Sequence, residues 1–246
     1  MSFGAQNIQI IDLDRVDISV EPWRWEFAIA RREEIGRHFA GRQRERPALW
    51  NGRVLLLNRY EIRDGVLHGS SFETDYANFL AWRDWSFPDA GVFNVFAAAA
   101  LQAADGAYLV GEMAPTTANA GQLHFPCGTP DPQDVRPDGV LDLGRNLSRE
   151  LLEETGIEIG TLEAEPGWTF VRDRGFLALL KRLKASEGVE ELRPRAIWRV
   201  RRSRSFPTSA SCAGRKISIP QCRPSSLRIL KRSGGNNAGR ILARRT

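Results

Sequence analysis

The chain has 246 residues, 42% of them hydrophobic and 26% charged, which is enough to bury one sizeable core or two small ones. Its three cysteines lack Cys-x-x-Cys spacing, which excludes a disulfide framework or a zinc site as the basis of the fold. The amino terminus has no signal-like apolar run, and no stretch is long enough to span a membrane. We therefore expect a cytoplasmic protein without a membrane partner.

The net charge of +5 is distributed unevenly along the chain. Residues 194–246 contain 14 Lys and Arg and no Asp or Glu, so residues 1–193 contain 21 basic and 30 acidic side chains. Such a basic tail could bind nucleic-acid phosphates, but Trp198 and Phe206 are its only aromatic residues, which disfavours a stacking platform for single strands. Because apolar periodicity stops there, we expect residues 194–246 to be disordered, or translated out of frame after a frameshift near residues 185–200.

Residues 1–90 are predicted to form an N-terminal extension with helices and a hairpin. Apolar residues recur at helical spacing over residues 25–45, which indicates an amphipathic helix. Two apolar runs flank Asp64-Gly65, a pair suited to positive φ, and this arrangement predicts a hairpin. Thr74-Asp75 then provides a cap for a short helix.

Residues 91–193 are predicted to form the catalytic domain. Apolar runs flank Asp105-Gly106 and Asp173-Arg174-Gly175, and each pair of runs predicts a hairpin. Between these hairpins, a short strand and a loop rich in Asp, Pro and Gly precede a helix over about residues 142–155. Asp142 is placed to cap the start of this helix, and Gly156 is placed to end it.

Three carboxylates lie at i, i+3 and i+4 on this helix: Glu150, Glu153 and Glu154. They project from one flank and repel each other, at a cost of a few tenths of a kcal/mol per pair. Hard carboxylate oxygens are the ligands that Mg²⁺ and Mn²⁺ select, so a cation would turn this repulsion into binding. Arg149 is placed to pair with one carboxylate and fix its rotamer, and Leu151 and Leu152 are expected to seat the helix on a sheet.

The segment Arg149-Glu150-Leu151-Leu152-Glu153-Glu154-Thr155-Gly156-Ile157 resembles the second half of the Nudix box, Arg-Glu-apolar-x-Glu-Glu-x-Gly-apolar, at every fixed position. Upstream, Phe125-Pro126-Cys127-Gly128 resembles the strand end and glycine that open the box. The resemblance covers roughly residues 47–183. It implies an α/β fold, the Nudix-like α/β/α sandwich with a mixed sheet, here with an N-terminal extension.

The same resemblance implies a function and a set of site residues. The function is that of a pyrophosphohydrolase that uses Mg²⁺, or Mn²⁺, to cleave a diphosphate linkage. The implied metal ligands are Gly128, through its carbonyl oxygen, and Glu150, Glu153 and Glu154. The implied catalytic residues are Arg149, Glu150 and Glu153.

The sequence also departs from the family pattern. A strict box would place its opening Gly and its first Glu where this chain has Val135 and Leu141. With Gly128 as the opening glycine, the loop is about seven residues longer than in a strict box. The first Glu is then either lost or replaced by Asp134 or Asp142.

The inserted loop and residues 47–52 are similar to a divergent branch of the family associated with UDP-sugars. We therefore expect the substrate to be a nucleoside diphosphate derivative, preferably a nucleoside diphosphate sugar or ADP-ribose. A general base is also required, and Glu187, Glu190 and Glu191 are the last acidic residues of the chain. Two alternatives are a catalytically impaired Nudix fold that senses a nucleotide and a nucleic-acid binder acting through the basic tail; a homodimer is also left open.

Overall fold

A computed structural model describes residues 8–47, 49–112, 123–195 and 227–230. Within these ranges the chain forms five α-helices: α1 (Glu26–Ala30), α2 (Arg32–Glu45), α3 (Tyr76–Asp84), α4 (Leu143–Thr155) and α5 (Val189–Arg195). The strands of the same ranges are β1 (Gln9–Leu13), β2 (Arg15–Val20), β3 (Arg53–Arg63), β4 (Val66–Asp75), β5 (Asn94–Gln102), β6 (Tyr108–Glu112), β7 (Leu123–His124), β8 (Cys127–Gly128), β9 (Glu163–Ala164), β10 (Trp168–Asp173), β11 (Phe176–Lys184) and β12 (Leu227–Leu230).

The larger sheet has the strand order β1-β10-β11-β5-β6-β12, with β7, β8 and β9 paired to β6, β5 and β11. β11 and β5 run parallel, whereas β10–β11, β5–β8 and β5–β6 are antiparallel, so the sheet is mixed. The first eight residues of β5 are all buried, which fits a central strand covered on both faces. The predicted α/β fold with a mixed sheet is confirmed.

The smaller sheet has the order β2-β4-β3 and belongs to the N-terminal extension. Only Asp14 separates β1, in the larger sheet, from β2, in the smaller one. Leu55 and Leu57 of β3 lie in the same hydrophobic core as Leu147 of α4 and Leu179 of β11. Residues before and after position 90 therefore share one core, and their division into two units stays a prediction.

Three local expectations from the N-terminal sequence can be compared with the structure. Asp64 and Gly65 have φ values of 50° and 73°, as the predicted hairpin turn requires. The predicted helix over residues 25–45 is interrupted at Arg31, whose φ of −112° ends α1 before α2 begins. Asp75 makes no capping hydrogen bond to α3, because its carboxylate is instead paired with Arg53 at 2.7 Å.

The prediction for α4 was right about its ends and half right about its buried face. Asp142 accepts a hydrogen bond from the Arg145 amide at 2.9 Å, and Gly156 follows the helix with a φ of 74°. Three leucines at i, i+4 and i+8 are buried: Leu143, Leu147 and Leu151. Leu152 is 47% exposed, so its predicted seating role was wrong; one further step of about 100° turns it towards solvent.

Among the residues that the structure describes, no helix is both long and apolar enough to cross a membrane. Of the predicted basic tail, residues 194–195 at the end of α5 and residues 227–230 in β12 are described. The expectation that residues 194–246 are disordered or out of frame otherwise lies outside the described residues.

Candidate metal site

The first half of the site is formed by Gly128 of β8 and by Arg149 and Glu150 in the middle of α4. Gly128 pairs with Ala97 of β5, and the Glu150 carboxylate of α4 lies directly against the Gly128 backbone. A methyl group built on Gly128 would overlap that carboxylate. Glu150 is 2% exposed, so its position depends on the absence of a side chain at residue 128.

Arg149 is the cation that balances this part of the site. Its Nη1 donates to Glu150 Oε1 at 2.7 Å, its Nη2 donates to Asp134 Oδ2 at 2.7 Å, and Asp131 Oδ2 lies 3.6 Å from Nη2. Burial by itself would lower the pKa of Arg149, but the charges of Glu150 and Asp134 raise it above its ordinary value. Arg149 therefore stays charged, and it pairs with a neighbouring carboxylate as predicted.

The structure separates the two possible replacements for the missing first Glu. The Asp134 side chain is fully buried, and its Oδ2 accepts from Arg149, from Asn146 Nδ2 at 3.0 Å and from the Asp131 amide at 3.1 Å. Asp142 instead caps the first turn of α4. Of these two aspartates, Asp134 is therefore the one that pairs with Arg149.

Asp131 and Asn146 were not singled out from the sequence. Asp131 caps a short 3-10 turn, Pro132–Asp134, through a reciprocal capping box with Asp134. The spacing of Asp131, Pro132 and Asp134 carries that signal in the sequence. Asn146 lies one helical turn before Glu150, but no sequence pattern indicates that its amide donates to a loop residue.

The second half of the site has no cation of its own among the contacts described. The Cys127 amide donates to Glu154 Oε2 at 3.2 Å, which holds this carboxylate at the end of β8. Burial raises the pKa of Glu154 well above its ordinary value, the charge of Glu150 raises it further, and the Cys127 amide only partly opposes them. Glu153 is exposed, and its charge adds to the repulsion.

These residues were tested for a fit to a divalent cation. In the ranges that the structure describes, no three Asp, Glu, His or Cys side chains form a group spaced to hold a metal ion. However, Mg²⁺ usually keeps several waters and binds through one or two carboxylates together with substrate phosphates. Glu150 and Glu154, two carboxylates at the end of β8, fit that mode of binding, and Gly128 has no side chain to separate a cation from them.

Of the late acidic residues, the backbone of Glu187 lies at the far end of β5. Its carbonyl accepts from the Ala104 amide, two residues beyond the end of that strand, whereas Gly128 pairs with Ala97 near its middle. A role of Glu187, Glu190 or Glu191 as the general base stays a prediction. Burial lowers the pKa of His124, in β7.

Comparison with known proteins places limits on the assignment. No family model matches the chain, and no curated protein matches it. The chain is similar to the crystal structure of a Nudix hydrolase from M. smegmatis, RenU, with 16% identity and a TM-score of 0.29 over 40% of this chain and 64% of that one. It is also similar to the MutT protein from Methanosarcina mazei Go1, with 19% identity and a TM-score of 0.26 over 39% of this chain and 65% of that one.

The chain thus matches slightly less than two thirds of the length of each of these structures. At TM-scores this low, the likeness carries no argument about activity. The case for the candidate site rests on the geometry around Gly128, Glu150 and Glu154.

Proposed function

We propose that the chain is a Nudix-type pyrophosphohydrolase, which cleaves the diphosphate linkage of a nucleoside diphosphate derivative with the help of Mg²⁺ or Mn²⁺. One observation carries the proposal: the Glu150 and Glu154 carboxylates both lie at the end of β8, where burial and the charge of Glu150 raise the pKa of Glu154. Arg149, the cation paired with Glu150, is shared with Asp134 and Asp131. A divalent cation would complete the charge balance.

Each residue has a distinct role in this proposal. Glu150 and Glu154, with the carbonyl oxygen of Gly128, hold the cation, and Arg149 keeps the Glu150 carboxylate in one orientation. When bound, the cation supplies neutralisation of the diphosphate oxygens and a lower pKa for the attacking water. Glu153, exposed beside this pair, is available to contribute a further ligand or to accept a proton from water.

A nucleoside diphosphate sugar is the preferred substrate, and ADP-ribose is the second choice. The support is the similarity of the inserted loop and of residues 47–52 to the branch associated with UDP-sugars. The inserted loop also contributes Asp134 to the site, so the same insertion that resembles the UDP-sugar branch also shapes the surroundings of Arg149.

The proposal is tested by measuring hydrolysis with Mg²⁺ of UDP-sugars, ADP-ribose and dinucleoside polyphosphates. Glu154→Gln removes one negative ligand, and we expect kcat/KM to fall by at least about 100-fold, more than typical outer-shell changes. The matched control is Glu163→Gln, because Glu163 is an exposed carboxylate on β9, and its activity should equal that of the unsubstituted chain. Full activity of Glu154→Gln would contradict the proposal.

A nucleotide-sensing function is the second candidate. The observation in its favour is that Leu141, at the strict-box position of the first Glu, is 6% exposed within the hydrophobic core, and that Asp134, which partners Arg149, is fully buried. If neither residue supplies a metal ligand, the site could bind a nucleotide without turning it over. Calorimetry of the same UDP-sugars, ADP-ribose and dinucleoside polyphosphates tests this function. Saturable binding of one of them, with no product after prolonged incubation, would favour a sensor over an enzyme.

A further inference from the structure

The inserted loop, residues 129–141, contacts both outer edges of the smaller sheet. At one edge, the Leu55 amide of β3 donates to the Pro130 carbonyl at 2.9 Å. At the other edge, the Val20 amide of β2 donates to the Gly139 carbonyl at 2.8 Å, and the Leu141 amide donates to the Ile18 carbonyl at 2.8 Å. Because β4 is the middle strand, the two ends of the loop are held on opposite sides of the sheet.

The part of the loop between these attachments carries the partners of Arg149. Asp134 is fixed inside the loop by its capping box with Asp131 and by the Asp142 amide, which donates to the Asp134 carbonyl at 2.8 Å. The Asp134 carboxylate then holds Arg149, and Arg149 holds Glu150. Hydrogen bonds at both ends of the loop, the loop backbone and the Asp134–Arg149–Glu150 contacts thus connect the N-terminal sheet to a proposed metal ligand.

We propose that the smaller sheet is a positioning element for the metal site: β2 and β3 hold the loop so that Asp134 sets the orientation of Arg149 and Glu150. The positioning group on β2 is the Val20 amide. This inference rests on the proposed function for its consequence, since Glu150 is taken to be a metal ligand. It explains why an extension with no acidic ligand in the site packs against the loop that supplies Asp134.

Small displacements of the loop should matter because the Arg149–Asp134 contact is short and buried. The two groups are 2.7 Å apart, and the Asp134 side chain has no exposed surface. A shift of about 1 Å would break this hydrogen bond and leave a buried carboxylate without its cation. Loss of comparable outer partners in metal sites weakens metal affinity by about 10- to 100-fold.

Val20→Pro removes the amide that donates to Gly139. Amides of alternate residues in β2 point to opposite sides: that of Glu21, just after the strand, donates to Ser71 of β4, whereas that of Val20 donates to the loop. The substitution therefore spares the β2–β4 pairing. The matched control is Val16→Pro, because Val16 has the same parity in β2 and its amide is not among the bonds to the loop.

The first readout is Mn²⁺ affinity, measured by calorimetry on the full chain. Val20→Pro should weaken binding about 10-fold, and Val16→Pro should leave it unchanged. In an Asp134→Asn background, Val20→Pro should cause no further loss of Mn²⁺ affinity, because the hold of β2 on the loop acts through Asp134. Unchanged affinity in Val20→Pro, or losses that multiply in the double variant, would overturn the proposal.

The second readout is amide hydrogen exchange without metal. The amides of Asp131 and Asp142, which donate to Asp134, should exchange faster in Val20→Pro than in Val16→Pro. Equal exchange rates in Val20→Pro and Val16→Pro would overturn the proposal that β2 holds the loop in place. Absence of Mn²⁺ uptake by the unsubstituted chain would count against the proposed function. The exchange rates alone would then decide whether the smaller sheet positions the loop.

Discussion

Two partly buried carboxylates of this protein have opposite electrostatic surroundings. Asp84, at the end of α3, lies 2.6 Å from Arg83, 3.0 Å from His38 and 3.3 Å from Arg42. Burial raises the pKa of Asp84, but these partners outweigh it and lower the pKa below its ordinary value. At Glu154, burial raises the pKa, and the neighbouring charges of Glu150 and Glu153 raise it further instead of opposing burial.

The difference separates a carboxylate with its own cations from one that the proposed function assigns to a metal site. Asp84 ties α2 to α3 with cations that the chain itself provides, so nothing further is required there. Glu154 meets one amide and two other carboxylates. A carboxylate whose pKa is raised by burial and by neighbouring like charge is a candidate for a functional site, and under the proposed function its partner is a divalent cation.

The largest effect is expected from removing Arg149. Arg149→Ala would remove the ion-pair partner that the buried carboxylates of Asp134 and Glu150 share. We expect the free energy of unfolding, measured in urea, to fall by about 3–5 kcal/mol. The matched control is Arg145→Ala, an exposed Arg one turn earlier on α4, which should change stability little.

Asp84→Asn should have a smaller, pH-dependent effect. It weakens contacts to two Arg residues and one His, so we expect a loss of about 2 kcal/mol at pH 7. Because the folded-state pKa is lowered, this stabilisation is present above the ordinary value of 3.8 and is lost as the pH falls through the folded value. The stabilities of variant and unsubstituted protein should therefore converge at low pH, and a constant difference would contradict the charge-based account. Glu26→Gln, at an exposed surface pair, is the control.

The smallest effect should be a gain. Without metal, Glu154→Gln removes like-charge repulsion and should raise the free energy of unfolding by at least about 0.2–0.5 kcal/mol, the cost of one like-charged i,i+4 pair. Because the folded-state pKa of Glu154 is raised, the unsubstituted protein loses stability as the pH rises from 4.5 through that value. The gain should therefore grow with pH, and thermal melts in a chelator across this range measure it. Destabilisation by Glu154→Gln at neutral pH would show that Glu154 is a structural group like Asp84.

Local rules identified much of the helix that carries the site. Asp142 and Gly156 act within one or two turns of α4, so spacing alone was enough to predict its ends. The pairing of Arg149 with Glu150 was also predictable, because the two residues are neighbours in the chain. Leu152 was mispredicted, because an apolar residue beside a buried one carries no signal of which side the core lies on.

The choice between Asp134 and Asp142 could not be made from the sequence. Both precede Arg149 in an acidic, Pro- and Gly-rich loop, and neither is in register with the family pattern. The choice depends on the path of residues 129–141 over β2 and β3, which are more than 60 positions earlier in the chain. Contacts of that separation leave no periodic signal in a single sequence.

By itself, the sequence determined the hairpins around Asp64-Gly65 and Asp173-Arg174-Gly175, the ends of α4 and the presence of three carboxylates on one helix, because turns, caps and helical spacing are set by residues a few positions apart. Only the tertiary structure decided that Glu150 lies against Gly128, that Asp134 balances Arg149 and that Glu154 lacks a cation among its described contacts. These outcomes depend on burial and on charges brought together from distant segments, and the energy of a charge is set by its surroundings in space rather than by its neighbours in the chain.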